Sequence, residues 1–352
     1  ALGQATLYRA WAHFQMVQLY GMRYAAGSEN TQPGIPIRLT PDNDPLPRAS
    51  VEEVYAQINT DIDSAIDLLD GYARPNKSHL DQSVALGLKA RVALVQQNYQ
   101  VAADYAAQAR ASYNLMSNED YFSNFNTYTN DEWMWGSYIQ EDQTDYYGNF
   151  GAYVSRNYSS TNIRTNPKAI NSLLYDQISP SDIRAQLFDP TGEHENLPAG
   201  YSIASNFSRF PYTNQKFLAA GTGDSRMDVP YMRAAEMYLI EAEALSYINE
   251  GEAREVLFEF ASNRDPEYTL STNTGQDLKE EIYIQRRVEL WGEGFRFYDL
   301  KRLNQPLDRT GANHVQTVIN NVYEVPAGDN RWQWLIPLDA LNANPLLEQN
   351  PI

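Results

Sequence analysis

The stretch SHLDQSVALGLKARVALVQQNYQVAADYAAQARASYNL, residues 78–115, limits the fold more than any other part of the chain. Val84, Leu88, Val92 and Val95 recur at helical spacing on its first arm, and Asn98-Tyr99 turns the chain into a second arm. Ala90, Ala102 and Ala109 put small side chains where the two helices of a tetratricopeptide repeat, about 34 residues long, have to touch. The spacing therefore predicts a helical hairpin.

Other segments carry the same period. Ser50 and Glu53 form a capping-box signature, followed by one apolar helix face of Val51, Val54, Tyr55, Ile58, Ile62, Ile66 and Leu69. ALGQATLYRAWAHFQMVQLYG places Leu7, Ala10, Trp11, Phe14, Val17 and Leu19 near helical spacing, with no capping residue ahead of it. Between the two lies TQPGIPIRLTPDNDPLPRAS, a proline-rich crossing connection. Helices return at YMRAAEMYLIEAEALSYI and at KEEIYIQRRVELWGEGFRFYDLKRL. Residues 120–225 show no sustained helical period and many turn formers, so short strands and loops are expected there. The tail WQWLIPLDALNANPLLEQNPI is punctuated by prolines and is expected to wrap the helices. The expectation is one mainly α domain over 1–352, with a helical body at 1–119 and 226–304, an irregular ligand-binding region at 120–225 and a wrapping tail at 305–352.

Charge and cysteine narrow the function. A formal net charge of −18 argues against a phosphate backbone as ligand, because nucleic-acid affinity comes from clustered Lys and Arg. The chain has no cysteine, which excludes disulfides, thiolate metal sites and Cys nucleophiles. His13, His79, His194 and His314 are scattered without an HExxH pair, and no Walker-type phosphate loop is present. No cofactor is called for. The sequence holds no apolar run of 18 residues, about the length needed to span a bilayer.

The stretch DEWMWGSYIQEDQTDYYGNFGAYVSRNY, residues 131–158, mixes rings with polar side chains. Trp133 and Trp135 alternate on a predicted strand and are expected to pack into the body. Tyr138, Tyr146, Tyr147, Tyr153 and Tyr158, with Asp145, Asn149 and Arg156 among them, are the candidate ligand contacts. Apolar contact surface edged by a few placed polar groups is the usual make-up of a small-molecule site. The alternative is that these rings anchor a loop.

RRVELWGEGFRFYDLKR holds Arg286, Glu289, Glu293 and Arg296 at intervals of three and four, continued by Asp299 and Arg302. Read as one helix, these groups stack along one face. The expected role is an ion-pair ladder to a neighbour, through Arg233, Glu236 or Glu243. The competing role, Glu289 and Glu293 as the carboxylate pair of a glycosidase, needs groups that flank a sugar in distinct environments.

RRVELWGEGFRFYDLKRLN resembles the C-terminal signature of the SusD/RagB family, nutrient-binding outer-membrane lipoproteins of the Bacteroidetes. ATLYRAWAHFQMVQLYG, PRASVEEVYAQINTDIDSAIDLL, NDEWMWGSYI and PYMRAAEMYLIEAEAL are similar to family segments in the same order. LIPLDALNANPLLEQNP resembles the family's terminal motif, with Asp339 where Glu is usual. The resemblance implies tetratricopeptide-like helical pairs with a loop-rich region packed on them. It further implies a non-enzymatic lid over a SusC-like TonB-dependent transporter, capturing oligosaccharides or, alternatively, peptides. The expected location is the outward-facing surface of the outer membrane, held by an N-terminal lipid anchor that this chain does not contain.

Overall fold

The helical hairpin and its neighbours form because their capping and apolar signals are local. The computed structural model describes residues 1–123, 125–143 and 148–352. Helices α1 (Leu2–Tyr20) and α2 (Val51–Leu68) pack together, as do α3 (Gln82–Val95) and α4 (Tyr99–Arg110). The α2 cap is reciprocal: the Ser50 side chain accepts from the Glu53 backbone N–H, and the Glu53 carboxylate accepts from that of Ser50. The turn between α3 and α4 lies at Gln96–Asn98, one residue earlier than predicted, with Gln97 at φ 61°. Ala90, Ala102 and Ala109 are fully buried, so the two backbones approach closely.

In residues 111–233 the regular elements are short. They are α5 (Asn118–Ser123), β1 (Trp133–Ser137), α6 (Gly151–Val154), α7 (Thr161–Thr165), α8 (Ser172–Tyr175), β2 (Phe188–Asp189), β3 (Thr213–Asn214) and β4 (Val229–Arg233). β2 pairs antiparallel with β3, and β1 with β4. In the second ribbon Trp133 stands opposite Arg233, Trp135 opposite Met232 and Ser137 opposite Val229, with register irregularities on both sides of Trp135. Residues two apart on a regular strand face the same side. Here the irregularity sends them apart. Both tryptophans are buried, but Trp135 packs in the core of the helical body and Trp133 in a second core with Phe125, Phe217 and Val288.

β4 runs without a break into α9 (Ala234–Leu245), every residue of which is buried. α9 packs against α4, α10 (Glu250–Arg264) and α11 (Gly275–Glu289). Its alanines leave room for these neighbours, and its acids meet cations from α3, α4 and the segment beyond α11. Glu236 pairs with Arg91 at 2.6 Å, Glu241 with Arg110 at 2.7 Å, and Glu243 with Arg302.

The predicted continuous helix over 279–303 is interrupted. α11 ends at Glu289, a turn follows, and α12 (Arg296–Arg302) starts afresh. Gly292 at φ 78° and Gly294 at φ 91° occupy the left-handed region. A Cβ on Gly292 would also lie 2.5 Å from the Phe217 ring. The charged row is therefore not one helix face. The break instead delivers Glu293 to Arg233 and Lys216, while Glu289 stays on the helix beneath Arg233 and Arg264. Of the three partners anticipated for the row, Arg233 and Glu243 serve it, and Glu236 is committed to Arg91. After α12 the chain forms the hairpin β5 (Leu307–Asp308) and β6 (Glu324–Val325), then α13 (Leu338–Ala343). The tail returns to the start of the chain: Trp334 donates its backbone N–H to the Leu19 carbonyl at 2.8 Å, and Arg48 donates to the Asn350 side chain at 2.7 Å.

Glu289 lies at the centre of a fully buried charge cluster. Arg233 donates to Glu289 at 2.8 Å, to Glu293 at 2.6 and 3.0 Å, and to Glu132; Arg264 donates to Glu132 at 2.6 Å and to Glu289 at 3.2 Å. Tyr121 donates its hydroxyl to Glu289 at 3.0 Å. Burial pushes the Glu289 carboxyl up, but Arg264, Arg233 and Arg184 outweigh it and hold the group below the ordinary carboxylate range. Glu293 is held low in the same way by Arg233 and Lys216. Because both groups titrate lower folded than unfolded, the stability they contribute is present above the ordinary value of 4.5 and is lost as pH falls below it. Removing one member of a buried pair costs about 3–5 kcal/mol. Glu289→Gln is expected to lower the melting temperature at pH 7 and to flatten the acid limb of the stability curve. Thermal unfolding followed by circular dichroism between pH 3 and pH 8 checks both.

Candidate ligand-binding face

Asp228, just ahead of β4, organises the surface beyond the ribbon. Its carboxylate accepts the backbone N–H of Tyr128 on one oxygen and that of Ile139 on the other, each at 2.8 Å. Its own N–H donates to the Asn126 carbonyl at 3.0 Å, and the Asn126 amide donates to the Tyr201 hydroxyl at 2.8 Å. One buried carboxylate thus gathers two segments that bear rings, and Asn126 ties in a third through Tyr201. Burial raises the Asp228 pKa, and the two backbone donors counter part of the rise.

The rings of Tyr128 and Tyr138 lie 5.0 Å apart between centroids and are tilted by 41°. Tyr138 is half exposed and Tyr128 partly so. Arg226 lies within electrostatic reach of Tyr138. It donates from Nε to Asp224 at 2.7 Å and stands 3.9 Å from Glu141. α6 packs against the same segment: a Cβ on Gly151 would lie 2.1 Å from the Ser225 carbonyl oxygen, so only glycine fits. The Asn149 amide donates to Ser225 Oγ at 2.9 Å, while its oxygen accepts the Ala152 N–H at 3.0 Å.

The sequence-predicted contacts divide into three groups. Tyr138 and Tyr153 are exposed, and Asn149 is partly exposed beside Ser225. Asp145, Tyr146 and Tyr147 lie outside the described residues. Arg156 and Tyr158 are buried, so neither meets solvent. Arg156 donates from Nε to His194 Nε2 at 2.9 Å and from Nη2 to the Ser208 carbonyl at 2.7 Å. Burial, aided by Arg209, pulls its pKa down to about 10, and burial pulls His194 to about 4. Tyr158 packs with Ala152, Ile163, Phe207 and Ala219. Sequence reasoning missed Tyr128, Arg226 and Asp228 as members of this face. No local pattern marks Asp228, whose two partners are 100 and 89 residues away in the chain.

Among the described residues, no group of three or more His, Asp or Glu is placed to hold a metal ion. A cleft of about 550 Å³ lies elsewhere, between the tail and the α1–α2 connection, lined by Arg48, Ser50, Asn330, Gln333 and Asn350 among others. Arg48 there donates to the carbonyls of Gly34, Tyr20, Pro33 and Glu348 and to Asn350, which makes it a joint for the tail. None of the residues lining it is aromatic.

The model of the SusD family matches residues 23–352. The chain belongs to the SusD family. Its fold is that of solved SusD-like structures. A SusD-like carbohydrate binding protein from Bacteroides vulgatus is 25% identical with a TM-score of 0.81, over 98% of this chain and 76% of that one. A SusD superfamily protein from Bacteroides thetaiotaomicron is 23% identical with a TM-score of 0.79, over 99% of this chain and 77% of its own. A laminarin binding SusD-like protein is 21% identical with a TM-score of 0.69, over 99% and 78%. No curated protein matches the sequence. The mainly α architecture expected from the sequence is the SusD-like fold. Among the described residues of this SusD-family chain, no helix is long and apolar enough to cross a membrane.

Asp228→Asn keeps the volume but leaves one oxygen where two accept. An amide left without an acceptor costs about 1–3 kcal/mol. Hydrogen exchange at the Tyr128 and Ile139 amides is expected to accelerate, while amides of α9 keep their protection. Exchange measured by NMR or mass spectrometry tests this residue by residue.

Proposed function

We propose that this SusD-family protein captures oligosaccharides on the face built from Tyr128, Tyr138 and Arg226. Asn149 joins it beside Ser225, and Tyr153, Asp145, Tyr146 and Tyr147 are proposed for it from the sequence alone. Arg156 and Tyr158 support the region from within. The observation that carries this reading is the exposed, tilted tyrosine pair beside polar side chains, held in place by Asp228. Sugar C–H faces pack on aromatic rings, and the ring-edge hydroxyls seek amide, carboxylate and guanidinium partners. The carbohydrate- and laminarin-binding structures that share the fold support the choice of ligand class.

The role is capture without chemistry. Glu289 and Glu293, the one carboxylate pair that suggested a glycosidase, are buried and locked between Arg233, Arg264 and Lys216, out of reach of a sugar. Delivery to a SusC-like TonB-dependent transporter, from a lipid-anchored position on the outer membrane, completes the proposed role.

Truncating an aromatic anchor at a recognition site commonly costs about 2 kcal/mol, roughly thirtyfold in affinity. Tyr138→Ala is expected to show that loss in calorimetry with the strongest binder from a glycan array, at an unchanged melting temperature. An early-melting variant that binds normally once folded would mark Tyr138 as a loop anchor. For the transporter, a lid closing on a barrel buries more than about 2,000 Å² in a stable complex. Purification of the native protein from its own membranes is expected to recover a TonB-dependent transporter in equal amount. Recovery of the protein by itself would overturn delivery while leaving capture standing.

A further inference from the structure

The proposed capture face has an electrostatic selectivity that its rings do not reveal. Arg226 lies within electrostatic reach of the exposed Tyr138 ring, and it is already neutralised. Its Nε and Nη2 donate to Asp224 at 2.7 and 2.5 Å, and Nη1 stands 3.9 Å from Glu141. Two other cations of the surrounding segments are also engaged. Arg156 is fully buried on His194 and Ser208, and Lys77 donates to the Asn130 carbonyl at 2.5 Å beside Asp131. The acids outnumber these cations, and three of them are solvent-exposed. The Glu141 side chain is 87% exposed, and Asp142 and Asp131 are exposed as well. The whole chain adds a net charge of −18.

We infer that the face selects uncharged oligosaccharides and rejects those carrying uronate or sulfate groups. The inference rests on the capture reading and names its ligand class. A carboxylate or sulfate laid over Tyr138 would approach Glu141 and Asp142 and find the Arg226 charge spent on Asp224. A neutral sugar meets no such opposition: its hydroxyls can accept from Arg226 and donate to Glu141. One like-charge contact at about 4 Å in water weakens binding about fivefold, and two weaken it about twenty-five-fold. Salt screens exposed charges within about 10 Å at 0.1 M, so the discrimination shrinks as ionic strength rises.

The test uses the whole chain on an array of immobilised neutral, uronate-bearing and sulfated glycans, followed by calorimetry with laminarin and with sulfated laminarin, which share a backbone and differ in charge. Binding confined to neutral glycans, with at least tenfold preference for the uncharged member of a matched pair, is the expected result. The double variant Glu141→Gln/Asp142→Asn is expected to narrow that preference by about tenfold, and 0.5 M NaCl to narrow it in the parent protein. Equal or tighter binding of uronate or sulfated glycans would overturn the inference and leave glycan capture intact. Binding to no glycan on the array would overturn both.

Discussion

Arg233 is the group on which the rest of the structure depends. It ends β4, precedes α9, faces Trp133 across the ribbon and donates to Glu132, Glu289 and Glu293 at once. Moving it would move the strand that leads back to Asp228, and with it the backbone that carries Tyr128 and Tyr138. Desolvating so many charges is costly, and a well-packed apolar cluster of equal volume can be as stable. What the charges add is direction. An apolar side chain needs only volume, whereas each guanidinium fork donates to its carboxylates in a narrow range of orientations. A buried network hydrogen-bonded this densely holds one arrangement against its competitors.

Local signals were legible in the sequence, and long-range ones were not. The α2 cap, the α3–α4 hairpin and its buried alanines follow from spacings of three and four residues. The charged row near the C-terminal end was legible as ion pairs, but its geometry was misread as one helix. Gly292 and Gly294 break the period, and that break lets Glu293 reach Lys216. α10 was not singled out, because its buried positions Ala253, Leu257, Phe260, Ala261 and Arg264 mix apolar residues with a charge. Trp133 and Trp135 were placed inside correctly, yet their division between two cores depends on a strand irregularity set by the partner strand. Asp228 could not be read at all, since its meaning lies in two backbone amides far along the chain.

The surplus of tyrosine has a broader explanation than ligand contact. Several of the rings pack against the helices and use the hydroxyl to serve a neighbouring polar group. Tyr121 donates to Glu289, Tyr238 to Glu259 and Tyr268 to Glu281, while Tyr247 and Tyr283 share a hydrogen bond at 2.9 Å. Tyrosine suits a helical assembly this rich in acids because it supplies both apolar area and one donor. The pair near Asp228 is a different use of a residue that serves carboxylates at Tyr121, Tyr238 and Tyr268.

The order in which the buried charges occur along the chain decides when the junction can close. Glu132, Asp182, Glu289 and Glu293 balance Arg184, Lys216, Arg233 and Arg264, four against four. A nascent chain ending after Arg264 would hold all four cations and only Glu132 and Asp182 to meet them. Burying that set leaves two positive charges uncompensated, so the second core stays open to water while the local helical pairs, which need only near neighbours, are free to form. The junction that carries the ligand face therefore cannot close before Glu289 and Glu293 arrive, and truncation upstream of them leaves Lys216, Arg233 and Arg264 short of two of their acids.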